Sequence, residues 1–348
     1  MDIKINELSA KTFNWLGMNE SVVKDVPEFE CGSMVVTTPD EVTCERELVD
    51  SIALSGVNSF VLKTKPGITS SKPAIVKVPA DAGTINKLVI ETDKDSTITV
   101  VMDYLSDSLH DEEKNKMFGV QTRIQAGSGS KVNLVQLLRH SSDYSCLNDI
   151  GAVLDDNARL NIVQVILDGD KNYMGCRVVL KGKGSSLKTD IGYMVNNDGR
   201  LDMNYEAVHE GKVTESEINA AGVLKNGAFK LFRGTIDFKK GAAGAVGNEK
   251  EDVLLLDDNV VNQTIPIILC AEEDVEGNHG ATIGELDEQI MLYMQARGLS
   301  REQVYEEMSK ARIKAVCNLI PDEDTKNMMS DYLEGEQLLE NGGEQENE

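Results

Sequence analysis

Aromatic residues and histidines are scarce in this chain of 348 residues. Phe, Trp and Tyr together make up 5%, with a single tryptophan, Trp15, and there are only four histidines. A core with few aromatic rings has to be filled by Val, Ile, Leu and Ala, as in stacked β-strands. Hydrophobic residues still reach 41% of the chain, which is enough to bury a sizeable core.

Positive charge is also in short supply. There are 35 Lys and Arg residues against 59 Asp and Glu residues, for a formal net charge of −24. Such a surface repels nucleic acid phosphates and anionic lipids, so we expect neither nucleic acid nor membrane as a partner. The sequence contains no run of about 18 apolar residues, so no membrane span is predicted. The first residues do not resemble a secretory signal, so we expect a cytoplasmic protein with reduced thiols.

Several motifs of catalysis and ligand binding are missing. The sequence has no P-loop, no dinucleotide-binding G-x-G-x-x-G, no H-E-x-x-H and no G-x-S-x-G. Its six cysteines form no C-x-x-C pair and have no zinc-finger spacing, so each is expected to be a small buried hydrophobe. His110, His140 and His209 lack neighbours at ligand spacing and are expected to be solvated or structurally satisfied.

Short strands dominate the chain from about residue 59, where alternating segments are rich in Val, Ile and Thr. The first apolar or small residues after successive turns are 28, 27, 14, 28 and 14 residues apart, all near multiples of 14: Val132, Leu160, Leu187, Leu201, Phe229 and Ala243. The phrases KVNLVQ and RLNIVQ, 28 residues apart, are nearly the same. This rhythm favours the stacked coils of a β-helix or β-solenoid. An antiparallel sandwich with regular hairpins stays open as the alternative.

The two ends of the chain lack this strand-like residue pattern. Short helices are predicted within residues 7–20 and 45–56. The tail has many glutamates and no basic residue, which predicts disorder. We therefore divide the chain into a partly helical N-terminal region (1–60), a β-helix core (61–272), a C-terminal helical domain (273–335) and a disordered acidic tail (336–348).

Three C-terminal helices are predicted from apolar spacing and caps. Thr282 and Glu285 fit a capping box, and Ser300 and Gln303 fit a second one. Pro321 would stop the second helix. The predicted helices cover residues 284–297, residues 301–319 and the surroundings of Met328 to Leu333.

His279 lies between Asn278 and Gly280, at the predicted entrance of the first of these helices. The positive end of the helix dipole disfavours a protonated imidazole there. A neutral imidazole is the form that binds iron or zinc, and the flanking Gly277 and Gly280 would allow a partner to approach closely. A role in capping the helix is the alternative interpretation.

Several motifs occur in a fixed order within residues 232–300. They are a G-x-I-x-F frame followed by GA, the run LLLDD, the proline at 266, and DVEGNHGATIGELDE followed by Y-x-x-ARG. In this combination the chain resembles the SufB/SufD family of iron–sulfur cluster assembly proteins. The resemblance implies a mainly β fold, with a right-handed parallel β-helix core and a C-terminal α-helical domain.

The resemblance also implies partners and a cargo. Members of the family work with SufC, an ABC-type ATPase, which they contact through the C-terminal helices, here 284–297 and 301–319. ATP hydrolysis in another chain would explain the missing P-loop. We therefore expect a subunit that is not an enzyme and that handles a transient iron–sulfur cluster. Its other partner would be a SufB-like paralogue or a second copy of itself.

Candidate site residues follow from the same resemblance. The HGAT form is SufD-like, and the histidine that matches His279 is implicated at the SufB–SufD interface where the cluster forms. SufB-like chains have a glutamate directly after this histidine, where this chain has Gly280, and an essential cysteine near the position of Glu251. Because carboxylate and imidazole can complete an iron site, Glu251 is a candidate ligand. Cys270, nine residues before His279, is a further candidate, with core packing as its alternative.

Two other functions stay open on the sequence. The chain could be a self-sufficient SufB-like cluster scaffold that forms a homodimer with SufC. It could also be a β-helix enzyme acting on polysaccharide, which would need an exposed groove with stacking aromatic residues. The aromatic content of 5% disfavours this last function.

Overall fold

The structure, a computed structural model, describes residues 1–11, 14–48, 58–105, 116–167 and 169–335. Strands make up most of these residues and α-helices follow at the C-terminal end. The strands are β1 (Ile3–Ile5), β2 (Ser21–Val23), β3 (Glu30–Cys31), β4 (Val35–Thr37), β5 (Val42–Leu48), β6 (Asn58–Thr64), β7 (Ala74–Pro79), β8 (Thr84–Thr92), β9 (Thr97–Leu105), β10 (Met117–Ala126), β11 (Lys131–Leu138), β12 (Ser145–Leu154), β13 (Arg159–Ile166), β14 (Lys171–Leu180), β15 (Ser186–Val195), β16 (Arg200–His209), β17 (Glu215–Leu224), β18 (Phe229–Phe238), β19 (Ala245–Leu255), β20 (Val261–Cys270) and β21 (Val275–Gly284). The helices are α1 (Glu288–Gln295), α2 (Arg301–Cys317) and α3 (Glu323–Gly335), and a 3-10 turn covers Asn14–Leu16.

Two sheets of mostly parallel strands face each other. The even sheet contains β20, β18, β16, β14, β12, β10, β8, β6 and β5 in that order, and the odd sheet contains β21, β19, β17, β15, β13, β11, β9, β7 and β4. Each coil of the chain adds one strand to each sheet, and about seven such coils stack into a β-solenoid. The predicted β-helix is confirmed, and the antiparallel sandwich is excluded by the parallel pairing.

The repeated sequence KVNLVQ/RLNIVQ reflects the register in which successive coils pair. β11 and β13 pair in parallel, residue for residue, over 131–138 and 159–166. From β10 onward, paired residues of successive coils are 26 to 32 positions apart, so the predicted step of 14 corresponds to half a coil. The predicted alignment slips by one residue late in the chain, where Phe229 pairs with Arg200 instead of Leu201.

Aliphatic side chains fill the interior of the coils. Val132, Leu134 and Leu138 of the odd sheet are fully buried in one cluster with Phe118 and Ile150 of the even sheet. Alternate residues of a strand point to opposite faces, so every second side chain enters the interior. Stacking in register places each of them on its counterpart in the next coil, which keeps the core continuous along the solenoid.

The N-terminal region contains no α-helix among its described residues, although two helices were predicted there. β1 and β2 pair as an antiparallel hairpin, which we call the N-terminal hairpin, and it lies on the outer face of the even sheet. Leu8 and Met18 are buried there against Leu231 and Ile265. The helix predicted at 7–20 is therefore wrong beyond the short 3-10 turn, because burial of these side chains on the sheet outweighs local helix propensity.

A second helix prediction in this region is also wrong where it can be compared. Residues 45–48 belong to β5, which pairs with β6 in antiparallel orientation. The remainder of that predicted helix, at 49–56, lies outside the described residues. So do His110 and the tail at 336–348.

Strand pairing continues beyond residue 272, because β21 ends only at Gly284. The capping box predicted for Thr282 and Glu285 is wrong, since Thr282 is part of this strand. Asp287 caps α1 instead, and its side chain accepts hydrogen bonds from two backbone amides of the first turn. The capping box of Ser300 and Gln303 at the start of α2 is confirmed.

The helices α2 and α3 cover the outer face of the odd sheet. Ile313, Val316 and Met329 pack in one buried cluster with Met194 of β15. By contrast, α1 has no buried residue. In the part of the chain that the structure describes, no helix is long and apolar enough to cross a membrane.

Candidate functional site

His279 lies in β21, at the end of the solenoid. We call the coil made of β20 and β21 the last coil. β21 pairs with β19 on one side and with no described strand on the other, and its residues 276–283 are exposed. The predicted position of His279 at a helix entrance is wrong, because α1 begins only at Glu288. The dipole of that helix acts within its first turn and does not reach the imidazole.

The side chain of His279 belongs to the inward face of its strand. Parallel pairing places His279 beside Glu249, and Ala281 beside Glu251. Paired residues of neighbouring strands project from the same face of a sheet. Glu249 is 5% exposed and Glu251 is 1% exposed, so this face is the interior of the solenoid. His279 is exposed because no described coil covers the last one.

Glu251 is held in a buried ion pair. Lys230 Nζ donates to Glu251 Oε1, Tyr193 OH donates to the same oxygen at 3.3 Å, and Thr264 Oγ1 donates to Oε2 at 2.6 Å. Burial lowers the pKa of Lys230, although the charge of Glu251 opposes that shift. Burial, and then the charge of Glu251, raise the pKa of Tyr193 well above its usual range. Glu251 could bind a metal ion only by giving up these contacts.

Glu249 is a site residue that the sequence reasoning missed. It is the direct neighbour of His279 in the ladder, and its Oε2 is buried without a hydrogen-bond partner. Burial raises the pKa of Glu249 to about 8, with a further contribution from the charge of Glu251. A signal was available in the sequence. Glu249 and Glu251 occupy alternate positions of a strand whose next inward residue, Val253, is apolar, so two carboxylates break the inward pattern.

Cys270 is the last residue of β20 and is exposed. Its Sγ donates to the backbone oxygen of Glu272 at 3.0 Å. It pairs with the buried Phe238, so it too lies on the inward face of the last coil, on the sheet opposite His279. Core packing, the alternative for this thiol, is wrong because no described coil covers it.

The other cysteines divide into two groups. Cys146, Cys176 and Cys317 are buried as predicted, whereas Cys31 and Cys44 are exposed, which contradicts the prediction for them. Cys31 lies on the two-residue strand β3, and Cys44 lies on β5, the edge strand at the N-terminal end of the even sheet, so fewer neighbouring strands cover them. None of these five lies on the last coil.

The buried histidines have structural surroundings. His209 contacts Thr214 Oγ1 and Ser216 Oγ through its two ring nitrogens, each at 2.8 Å, which confirms the prediction of a satisfied side chain. His140 is buried with its ring 5.1 Å from that of Phe118. Burial lowers the pKa of both histidines to about 4, so they are neutral at physiological pH.

The last coil offers ligand atoms without a complete metal site. Among the described residues, no three side chains of His, Cys, Asp or Glu come together as they would around a metal ion. An imidazole, a thiol and a carboxyl group are nevertheless present on the inward face of one end of the solenoid, at His279, Cys270 and Glu249. Further ligands would have to come from outside this part of the chain.

A two-sheet parallel β-solenoid with an uncovered last coil and helices along one sheet defines the class of this protein. Residues 75–311 match the profile of the family described as SUF system FeS cluster assembly, SufBD core domain. The chain belongs to this SufBD family. The resemblance inferred from the sequence motifs is thereby confirmed.

Individual relatives agree with this assignment. The chain is 23% identical over 280 residues to the iron-sulfur cluster assembly protein SufD of Bacillus subtilis (strain 168), a match that covers 80% of this chain and 63% of that protein. It is 28% identical over 150 residues to SufBD family proteins of Staphylococcus epidermidis and Staphylococcus haemolyticus, covering 43% of this chain and 32% of theirs. The chain thus spans less than two thirds of the length of these relatives.

Proposed function

We propose that this chain is the SufD-like subunit of a SufBCD-type iron–sulfur cluster assembly complex in the cytoplasm, acting as a scaffold partner and not as an enzyme. The observation that carries the proposal is the uncovered last coil, where β20 and β21 each pair on one side only among the described strands. An unpaired strand edge is a template for pairing with another chain. A SufB-like paralogue seated there would face His279.

The substrate at this interface is a transient iron–sulfur cluster. His279 contributes a nitrogen ligand from the inward face of β21, and the partner supplies thiolates. The exposed thiol of Cys270 lies on the same coil and is a sulfur ligand that this chain can offer. Glu251 keeps its ion pair with Lys230 and has a structural role in the coil below the last one.

The SufC-like ATPase docks on the C-terminal helices. Three apolar residues of α1 are exposed, namely Ile290, Leu292 and Tyr293. Since α1 has no buried residue, these side chains take no part in the described core. Exposed apolar clusters of this kind mark protein–protein contacts. ATP hydrolysis belongs to the partner, and the purified chain alone is expected to have no ATPase activity.

A homodimeric scaffold with SufC is the alternative function. It is favoured by the exposed thiol of Cys270 on the same coil as His279, which lets one chain supply both sulfur and nitrogen ligands. A two-fold axis at the last coil would bring the same edge of two copies together, as in other isologous interfaces.

The deciding experiment is anaerobic co-expression of the chain with the SufC-like ATPase and the SufB-like paralogue of its own organism. Iron and sulfide are then measured in the purified complex for wild type and His279→Ala. We expect the variant to retain both partners and to lose most of the iron. Asn278→Ala is the matched control, because Asn278 is equally exposed but bonds to Asn248 on the other face of the sheet. A wild-type chain that recovers neither partner would refute the proposal. Recovery of a SufC complex that holds two copies of the chain and its own iron would favour the homodimer.

A further inference from the structure

Three ionisable side chains lie buried beneath the last coil, and only two of them are paired. Lys230 forms an ion pair with Glu251, and the carboxyl group of Glu249 takes no part in it. Glu249 is 5% exposed, and its Oε2 has no hydrogen-bond partner. A carboxyl oxygen that is buried without a hydrogen-bond partner is unfavourable. A ligand that brings positive charge to Oε2 would remove this cost.

A glycine on the opposite sheet makes room for that carboxylate. A Cβ atom at Gly234 would lie 2.3 Å from Cδ of Glu249 and 2.4 Å from its Oε2. Gly234 is not among the residues with positive φ, so space and not backbone conformation requires a glycine there. It is also the glycine of the G-x-I-x-F frame noted in the sequence. Neither the family resemblance nor the ion pair of Lys230 and Glu251 explains why residue 234 is a glycine. The position of the Glu249 carboxyl group explains it.

His279 is the next residue toward the uncovered end. It stands beside Glu249 in the parallel ladder, on the same inward face, with the strands about 4.8 Å apart. A carboxylate oxygen and a neutral imidazole are both ligands that ferrous iron and similar divalent ions accept. Beyond His279 no described strand covers the last coil, so an ion held between the two side chains keeps open coordination positions.

We propose that Glu249 and His279 form a two-ligand half-site for a divalent cation of the ferrous type, cradled by Gly234 and completed by ligands from the partner chain. The inference rests on the proposed function, because it takes His279 as a residue of the cluster-forming interface. It adds a second ligand from this chain and accounts for a buried carboxylate that has no structural partner.

The test is an anaerobic titration of the purified full chain with Co²⁺, a spectroscopic probe for ferrous sites, followed by calorimetry and visible absorption. We expect one Co²⁺ per chain for wild type and binding weakened at least about tenfold in Glu249→Gln and in His279→Gln. Glu217→Gln is the matched control, because Glu217 is exposed on the outer face of β17 in the same sheet and its loss should leave binding unchanged.

A second variant keeps both ligands and moves one of them. Gly234→Ala displaces the carboxylate of Glu249 and should also weaken Co²⁺ binding, and it decides the matter if Glu249→Gln does not fold by circular dichroism. Wild-type chain that binds no Co²⁺, or a folded Glu249→Gln that binds it as wild type does, overturns the inference. If His279→Ala loses iron in the complex while Glu249→Gln retains it, the inference fails and the proposed function stands. Failure to recover the partners refutes the proposed function whatever the titration shows.

Discussion

A buried ion pair fastens the N-terminal hairpin to the even sheet, and its removal should release the hairpin. Arg233 and Asp202 are both fully buried, with Nη1 of the arginine 2.6 Å from Oδ1 of the aspartate. Arg233 also donates through Nε to the backbone oxygen of Met18 at 2.7 Å and through Nη2 to Ser21 Oγ at 3.2 Å. Asn6 adds a hydrogen bond to Asp202 at 2.7 Å. The ion pair thus connects both ends of the hairpin to the sheet, because Arg233 bonds to Met18 and Ser21 and Asp202 accepts from Asn6.

The expected magnitudes follow from desolvation. Arg233→Met leaves the buried carboxylate of Asp202 with only the partly exposed Arg200, 3.3 Å away, and should cost about 3 kcal/mol. Asp202→Leu leaves the buried guanidinium of Arg233 without its carboxylate and should cost about 3–5 kcal/mol. The double variant removes both charges and keeps the volume apolar. It should cost only about 1–3 kcal/mol, mainly for the lost hydrogen bonds to the hairpin. The two substitutions are therefore strongly non-additive.

The assay is a double-mutant cycle read by urea denaturation and by amide hydrogen exchange of β1 and β2. Exchange in the hairpin should rise more than exchange in the solenoid, because β16 and β18 keep their backbone pairing while the hairpin loses its bonds to Arg233 and Asp202. The exposed pair of Lys11 and Glu7 is the control and should show a coupling below about 1 kcal/mol. A double variant that loses as much as the sum of the two singles would refute the reasoning.

Three further predictions concern stability and docking. Burial lowers the pKa of His209 to about 4, so its neutral form contributes stability that is full above about pH 6.5 and is lost as the pH falls toward 4. The stability difference between wild type and His209→Gln, measured in urea, should shrink by about 1.4 kcal/mol per pH unit over that window, and a constant difference would contradict it. In Gly222→Ala the new Cβ would lie 2.0 Å from the buried ring of Tyr193, so we expect a loss of at least about 1–3 kcal/mol, while Gly280→Ala, with no atom within 4 Å, should be near neutral. Leu292→Asp in α1 should weaken capture of the SufC-like ATPase by at least about tenfold without changing the melting temperature, since Leu292 is 65% exposed, and unchanged capture would argue against docking on α1.

The coil repeat could be predicted from the sequence because residues close together in the chain produce it. Strand alternation and turn residues are local signals, and KVNLVQ and RLNIVQ do lie on each other in the stack. The errors arose where distant contacts decide. The segment at 7–20 connects the two strands of the N-terminal hairpin instead of forming an α-helix, because Leu8 and Met18 are buried on strands more than two hundred residues away.

At the candidate site, too, local signals could be read from the sequence and distant contacts could not. His279 could be singled out by its motif, but its setting could not, because the capping pattern around Thr282 competes with the strand ladder that β19 offers. β19 pairs with β21 at ten positions. A helix that began at Thr282 would leave part of the β19 edge without a paired strand. Glu249 was missed because its meaning depends on Gly234 across the interior and on His279 in the next coil, neither of which is near it in the sequence.

The sequence by itself determined the fold class, the family and the absence of common nucleotide-binding and hydrolase motifs, because each of these depends on local patterns that any stretch of chain carries with it. Tertiary structure alone decided that Glu251 is engaged with Lys230, that Glu249 is left without a partner and that Cys270 is exposed. In a solenoid, burial and pairing depend on which coil lies above a residue. The last coil has none among the described residues, and that is why its polar side chains remain available to a partner.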